Sequence, residues 1–381
     1  VTLVNDVGLA FAASTVDGTL SATATTGNMT DSGALAISGT SAFITSANNA
    51  TIALDTTTNA FTGAVTLTTN DNDGTDADAT IDGGTTALVI AESTVVGNLT
   101  LTSGNASGIT DSGTLTIGGN LSATTDAGDG VVNLGTLAVD GTIALATNGT
   151  GDALVVNDAG LTFAASAVGQ DLTATATTGN IIDNAAVSVG RNLAVTATAD
   201  DGTVNLGTLE VDGTIALTTN GTNGNVTLVN DVGLAFAAST VDGTLSATAT
   251  TGNMTDSGAL AISGTSAFIT SANNATIALD TTTNAFTGAV TLTTNDNDGT
   301  DADATIDGGT TALVIAESTV VGNLTLTSGN ASGITDSGTL TIGGNLSATT
   351  DVNDITINLG TLAVDGTIAL TTNGTNGNVT L

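Results

Sequence analysis

Residues Val1–Asp126 return without a single change as Val226–Asp351, an offset of 225 residues. A chain that writes the same 126 residues twice must fold so that identical side chains find equivalent burial twice. A shorter line returns three times: "VNLGTLAVDGTIALATNGT" from Val132, "VNLGTLEVDGTIALTTNGT" from Val204 and "INLGTLAVDGTIALTTNGT" from Ile357. Diverged copies fill the interval between, as where "LVVNDAGLTFAAS" from Leu154 echoes "TLVNDVGLAFAAS" from Thr2.

A smaller period runs beneath these copies. Apolar pairs two residues apart recur at Leu9/Phe11, Leu35/Ile37, Leu88/Ile90, Leu115/Ile117, Leu137/Val139, Leu161/Phe163, Val187/Val189 and Leu209/Val211, with a degenerate member at Asn59/Phe61. Nine such pairs in 225 residues give a mean spacing of 25. Each is followed by a Gly-containing bend and a G-x-[LIV]-x-[LA] strand, such as "GTIAL", "GNLTL" or "GTLSA". Period-two alternation reads as strand with one buried face, and no apolar stripe follows the helical period. Short strands cannot bury a face alone, but stacked coils can. The expected fold is therefore an all-β parallel β-solenoid of about 25 residues per coil, with three short strands per coil and essentially no helix. It should run as one solenoid over 1–381, with 1–225 as a nine-coil unit and 226–381 as a partial second copy. The absence of Pro fits, since Pro removes a ladder hydrogen bond wherever it enters a strand.

Charge narrows the partners. Thirty-six acidic residues face one basic residue, Arg191, for a net charge of −35. Such a surface repels nucleic acid and anionic membranes, and no run of about 18 apolar residues offers a transmembrane helix. Cations are the natural small partners. With no His, Cys or Lys, the usual nucleophile–base pairs, zinc ligands and phosphate-binding loop lysine are missing. Most Asp stand in "VDGT", "TDSG" and "VND", where Asp is expected to bond its own backbone in a turn. The chain does not read as an enzyme and requires no cofactor.

The longest polar insertion, Thr68–Thr86, crowds Asp71, Asp73, Asp76 and Asp78 into one loop, and Asp296, Asp298, Asp301 and Asp303 repeat it. Hard oxygen ligands at alternate positions suit Ca²⁺. Gly74 comes too early for an EF-hand loop, however, and no Glu closes the shell. A solvated acidic loop is the favoured reading, with Ca²⁺ held by these eight residues as the alternative. Outward threonines in "TATATTG" raise ice binding as a minor alternative. The equivalent strands vary, as "GTIALAT", "GNLTLTS" and "GAVTLTT" show, and break the rows. Asn-x-Ser/Thr triplets at Asn98, Asn120, Asn148 and Asn220 follow from a composition rich in these residues. Arg191 is expected to point outward beside acidic neighbours.

The run "GNLTLTSGNASGITDSGTLTIGGNLSATTD" (Gly97–Asp126) and the segment "NAFTGAVTLT" (Asn59–Thr68) resemble the repeats of filamentous haemagglutinin-type proteins, bacterial surface and secreted β-helix adhesins and filaments. The resemblance implies a right-handed parallel β-helix. It also implies export to the cell surface or medium, and a role as filament, fibre or adhesin stalk, with a surface module for a carbohydrate, host or matrix ligand as the alternative. The text at "GNVTL" (Gly377–Leu381) is that of Gly224–Leu228, and "VTLVNDVGLAF" from Val1 enters the same repeat partway through. Open coil edges template association, so end-to-end self-association into filaments is the expected partnership.

Overall fold

The computed structural model describes residues 1–72, 76–126, 128–297, 299 and 301–381. They form two compact units, Val1–Arg191 and Asn192–Leu381, so the division falls inside the first sequence copy and not at Val226. Each unit is a parallel β-solenoid, and no helix occurs among the described residues.

In the first unit the opening coils have three walls. One is built from Thr2–Asn5, Leu20–Ala24, Ser41–Asn48 and Val65–Asn70. The second takes Leu9–Phe11, Met29–Asp31, Ile52–Leu54 and Ala79–Asp82, and continues through Leu99–Ser103, Leu121–Thr125 and Thr142–Ala146. The third holds Ser14–Val16, Leu35–Ile37 and Ala60–Phe61. All pairings are parallel, coil upon coil.

Register shows how sequence becomes core. Leu9 stands on Met29, then Ile52, Ala79, Leu99, Leu121, Ile143 and Phe163, each directly paired with the next. Every member is buried. The second unit repeats the column as Leu234, Met254, Ile277, Ala304, Leu324 and Leu346. Each large member removed from water contributes about 1.5–3 kcal/mol. Between the walls, Phe43 packs edge-on against Phe11 (centroids 6.3 Å apart, 77°) and Phe61 (5.9 Å, 76°). These rings come from three different walls, and Phe236, Phe268 and Phe286 repeat the arrangement.

Coils differ in length. Stacked partners are 19 residues apart at Thr2–Ser21, 27 at Ile52–Ala79 and 22 at Leu99–Leu121. The apolar pairs do not mark one place per coil. Leu9/Phe11 lies on the second wall and Leu35/Ile37 on the third, while Leu88/Ile90 follows the first. Their spacing of 25 therefore measures motif recurrence and runs slightly longer than the typical coil.

Many outward positions of the walls are small and uncharged, with Glu210 and Ile182 among the exceptions. Thr30, Ala53, Thr80, Thr100, Ser122 and Ala144 form one such column, so Ala and Ser interrupt the threonine row. Acids collect at the corners. Glycine serves close approach there: Gly97, Gly119 and Gly141 stack by backbone hydrogen bonds of 3.0 Å each. A Cβ on Gly119 would meet the Gly97 carbonyl carbon at 2.8 Å.

Truncating Phe43 to Ala should cost about 3–5 kcal/mol, because the ring is wholly buried between two others. Thr66→Ala, outward on the same wall, should change stability by less than about 0.5 kcal/mol. Urea unfolding of the two variants checks the contrast.

Candidate functional site

A stack of parallel coils must satisfy every buried polar group within itself, because water cannot reach it. At four places among the described residues a straight strand stacks on a bent pair of short strands and a serine bridges the two. Val65–Asn70 pairs with Leu88–Ile90 through Val65–Ile90 and with Ser93–Val95 through Thr68–Thr94. The bend leaves the Leu67 N–H facing no carbonyl. Ser93, only 3% exposed, takes its place: its Oγ accepts from Leu67 N–H (2.9 Å) and donates to the Ala91 carbonyl (2.8 Å). Ser166 does the same for Leu145, Ser239 for Leu217 and Ser318 for Leu292. The sequence signal was present as A-x-S-x-V after the pairs Leu88/Ile90, Leu161/Phe163, Leu234/Phe236 and Leu313/Ile315, but its meaning depends on the straight strand beneath.

Buried asparagines act likewise. Asn157 accepts from Val139 N–H and donates to the Val139 carbonyl, replacing a strand neighbour where the register shifts. Asn230 does this for Val211. Asn59, 1% exposed, is the degenerate member of the apolar pairs. Its Oδ1 accepts from Leu35 N–H (2.7 Å), and its Nδ2 donates to the Leu54 carbonyl (3.2 Å) and to Asp31 Oδ2 (2.7 Å). Asn284 repeats all three bonds in the second unit.

The acidic loops are closed at their base by Thr69, whose hydroxyl donates to the Ala77 carbonyl, and by Thr294, which donates to Ala302. Asp78 Oδ1 accepts from both Asn98 N–H (2.7 Å) and Asn98 Nδ2 (3.0 Å). Asn98 Oδ1 then accepts from Asn120 N–H, and Asn120 Oδ1 from Thr142 N–H and Oγ1. Asp303, Asn323, Asn345 and Thr367 form the same ladder. Asp78 and Asp303 are thus the first rungs of an Asx ladder. Asp296 Oδ2 lies 3.5 Å from Asp301 N. Asp71 is half-buried and Asp76 exposed, while Asp73 and Asp298 lie outside the described residues. Among the described residues no three acidic side chains gather closely enough to hold a metal ion.

Aspartates in "TDSG" also reach beyond their own turn. Asp111 accepts from Gly135 N–H (3.1 Å), Thr136 N–H (2.7 Å) and Thr136 Oγ1 (2.7 Å), one coil on. The expectation of own-backbone bonds is corrected at this residue, because the stacked coil presents N–H groups that the local turn does not. Three further aspartates, Asp129, Asp201 and Asp354, sit at left-handed φ near +60°. Backbone N–H groups of Thr150, of Asn223, and of Asn376 and Thr375 hold their respective carboxyls below the usual range. Their stabilisation is present above the ordinary carboxylate pKa and is lost as pH falls through the lowered values. Arg191 points outward and lies 3.6 Å from Asp171, with Gln170 as a second partner. The surface between coils offers grooves such as that lined by Thr114, Thr136, Leu137, Val156, Asp158 and Thr177.

The class this geometry defines is a repeat β-solenoid whose polar residues chiefly bond coil to coil. The chain belongs to the DUF5649 family, described as repeats of unknown function, whose model matches residues 1–68, 223–293 and 301–359. No curated protein and no solved structure matches it.

Asn59→Ala should cost about 2–4 kcal/mol in the Leu35–Phe61 coils, since it strands an N–H, a carbonyl and a carboxylate together. Denaturant unfolding, with Asn284→Ala as the paired variant, measures it. Chelator should leave the melting temperature unchanged, because the stacked core columns are built from apolar side chains. A fall restored by Ca²⁺ would make Asp71, Asp76, Asp296 and Asp301 ligands.

Proposed function

We propose that the chain is a structural element of an extracellular bacterial filament, fibre or adhesin stalk, working by stacking β-coils and by end-to-end assembly. The observation that carries this reading is where the polar side chains go. Ser93, Asn59, Asn157, Asp78 and Asp111, with their counterparts in the second unit, complete the ladder between coils. The inward columns are chiefly aliphatic and aromatic, and the outward column of Thr30, Ala53, Thr80, Thr100, Ser122 and Ala144 is neutral and small. Such a body resists bending and local opening, since each coil is hydrogen-bonded on both sides. Its corner acids keep a long apolar-cored object dispersed. The likeness to filamentous haemagglutinin-type repeats points the same way. End-to-end growth extends the parallel ladder without requiring a new kind of contact.

Purified protein concentrated in moderate salt should form rods of one coil's width by electron microscopy. Aligned samples should give a meridional reflection near 4.8 Å. Particles that stay short and monomeric at every concentration would overturn the assembly, and localisation to the cytoplasm of the producing cell would overturn the extracellular role.

A further inference from the structure

Asp82 is 8% exposed, and so is its counterpart Asp307. Its Oδ1 accepts one hydrogen bond, from Gly84 N–H at 2.7 Å. Gly84 is at φ +56°, and a Cβ there would run into the Asn59 carbonyl, so this corner is packed hard against the coil below. The charged groups facing Asp82 are Asp126, Asp55 and Asp31, all carboxyls. Asp31 already spends Oδ2 on Asn59, and its Oδ1 is buried with no hydrogen-bond partner. The second unit reproduces every element: Asp307 with Gly309, faced by Asp351, Asp280 and Asp256, and Asp256 Oδ1 again buried without a partner. No cation answers them, because the chain's one basic side chain, Arg191, pairs with Asp171. The corner holds more acceptors than donors, and an added proton supplies both a donor and a neutral carboxyl.

We propose that Asp82 and Asp307 are proton-operated locks, each closing its corner most tightly when its carboxyl is protonated, so that mild acid firms the coils and neutral pH loosens them. Burial, opposed by the Gly84 N–H and reinforced by Asp126, Asp55 and Asp31, raises the Asp82 pKa. The folded state therefore holds this proton at pH values where the unfolded chain has released it. Stability contributed at the corner is lost as pH rises from the ordinary carboxylate value through the raised one. The opposite dependence of Asp129, Asp201 and Asp354 belongs to other corners and operates at lower pH. The lock is distinct from the overall relief of charge repulsion in acid, which acts on all coils alike.

The test is hydrogen exchange on the full chain, expressed as protection factors corrected for intrinsic rates. Peptides covering Ala79–Gly84 and Ala304–Gly309 should gain severalfold in protection as the pH is lowered from neutral toward the ordinary carboxylate range. Peptides over Leu193–Asp200 should gain less. The double variant Asp82→Asn, Asp307→Asn keeps an acceptor for Gly84 and Gly309 but cannot ionise. Its corners should be protected at neutral pH as the unmodified chain is in acid, and should stay flat. An unchanged pH dependence in the variant overturns the proposal. Should the variant fold poorly, the unmodified chain decides the matter: a gain in acid at Ala79–Gly84 and Ala304–Gly309 larger than that at Leu193–Asp200 supports the lock, and an equal or smaller gain overturns it.

Discussion

The parallel backbone ladder between successive coils is the interaction on which everything else in this protein depends. Each coil is too short to bury a face by itself and gains a core only by lying in register on its neighbour. Register then dictates composition. Positions above one another must be alike, which is why Leu9, Met29, Ile52, Leu99, Leu121 and Ile143 form one column. The ladder also explains the corner glycines: at Gly119 and Gly141 backbones meet at hydrogen-bonding distance and leave no room for a Cβ.

Departures from regularity are where the polar residues work. A straight strand cannot match a bent pair N–H for carbonyl, and the mismatch falls on one amide each time. Ser93, Ser166, Ser239 and Ser318 each meet that amide and return the proton donor to a carbonyl two residues back. Asn157 and Asn230 do similar service at register shifts. A buried unpaired amide costs about 1–3 kcal/mol, so each such residue preserves a useful fraction of a coil's own stability. They are structural residues in polar dress, and read in isolation they resemble functional ones.

Charge is distributed by the same geometry. Wall positions are in or out of a flat sheet, and acids at adjacent rungs of a wall would stand about 4.8 Å apart. Corners spread them, and there carboxylates earn partners: Asp111 and Asp78 take N–H groups from the next coil. Asp82 and Asp307 are the exceptions, turned inward among their own kind.

Much of this was legible in the amino-acid order. Alternation in "GNLTL" or "GTIAL" is a local property, so strand, buried face and coil stacking followed from it, as did the absence of helix. The outward, acid-paired Arg191 was legible too. Register was not, because it belongs to a residue's neighbour some 19–27 positions away. That is why the apolar pairs overstate the coil length and why the role of Ser93 could not be read from its neighbours in the chain. Asn59 looked like a defect in the apolar pattern, yet it holds Leu35, Leu54 and Asp31 together. Asp78 read as part of a solvated acidic loop, with Ca²⁺ ligation as the alternative, and its tie to Asn98 could not be seen in the sequence. The sequence by itself determined that coils form and which faces they bury, since period and hydrophobicity are written residue by residue. Only the tertiary structure decided what each polar side chain is for, since a hydrogen bond needs its partner placed, and the partner stands on another coil.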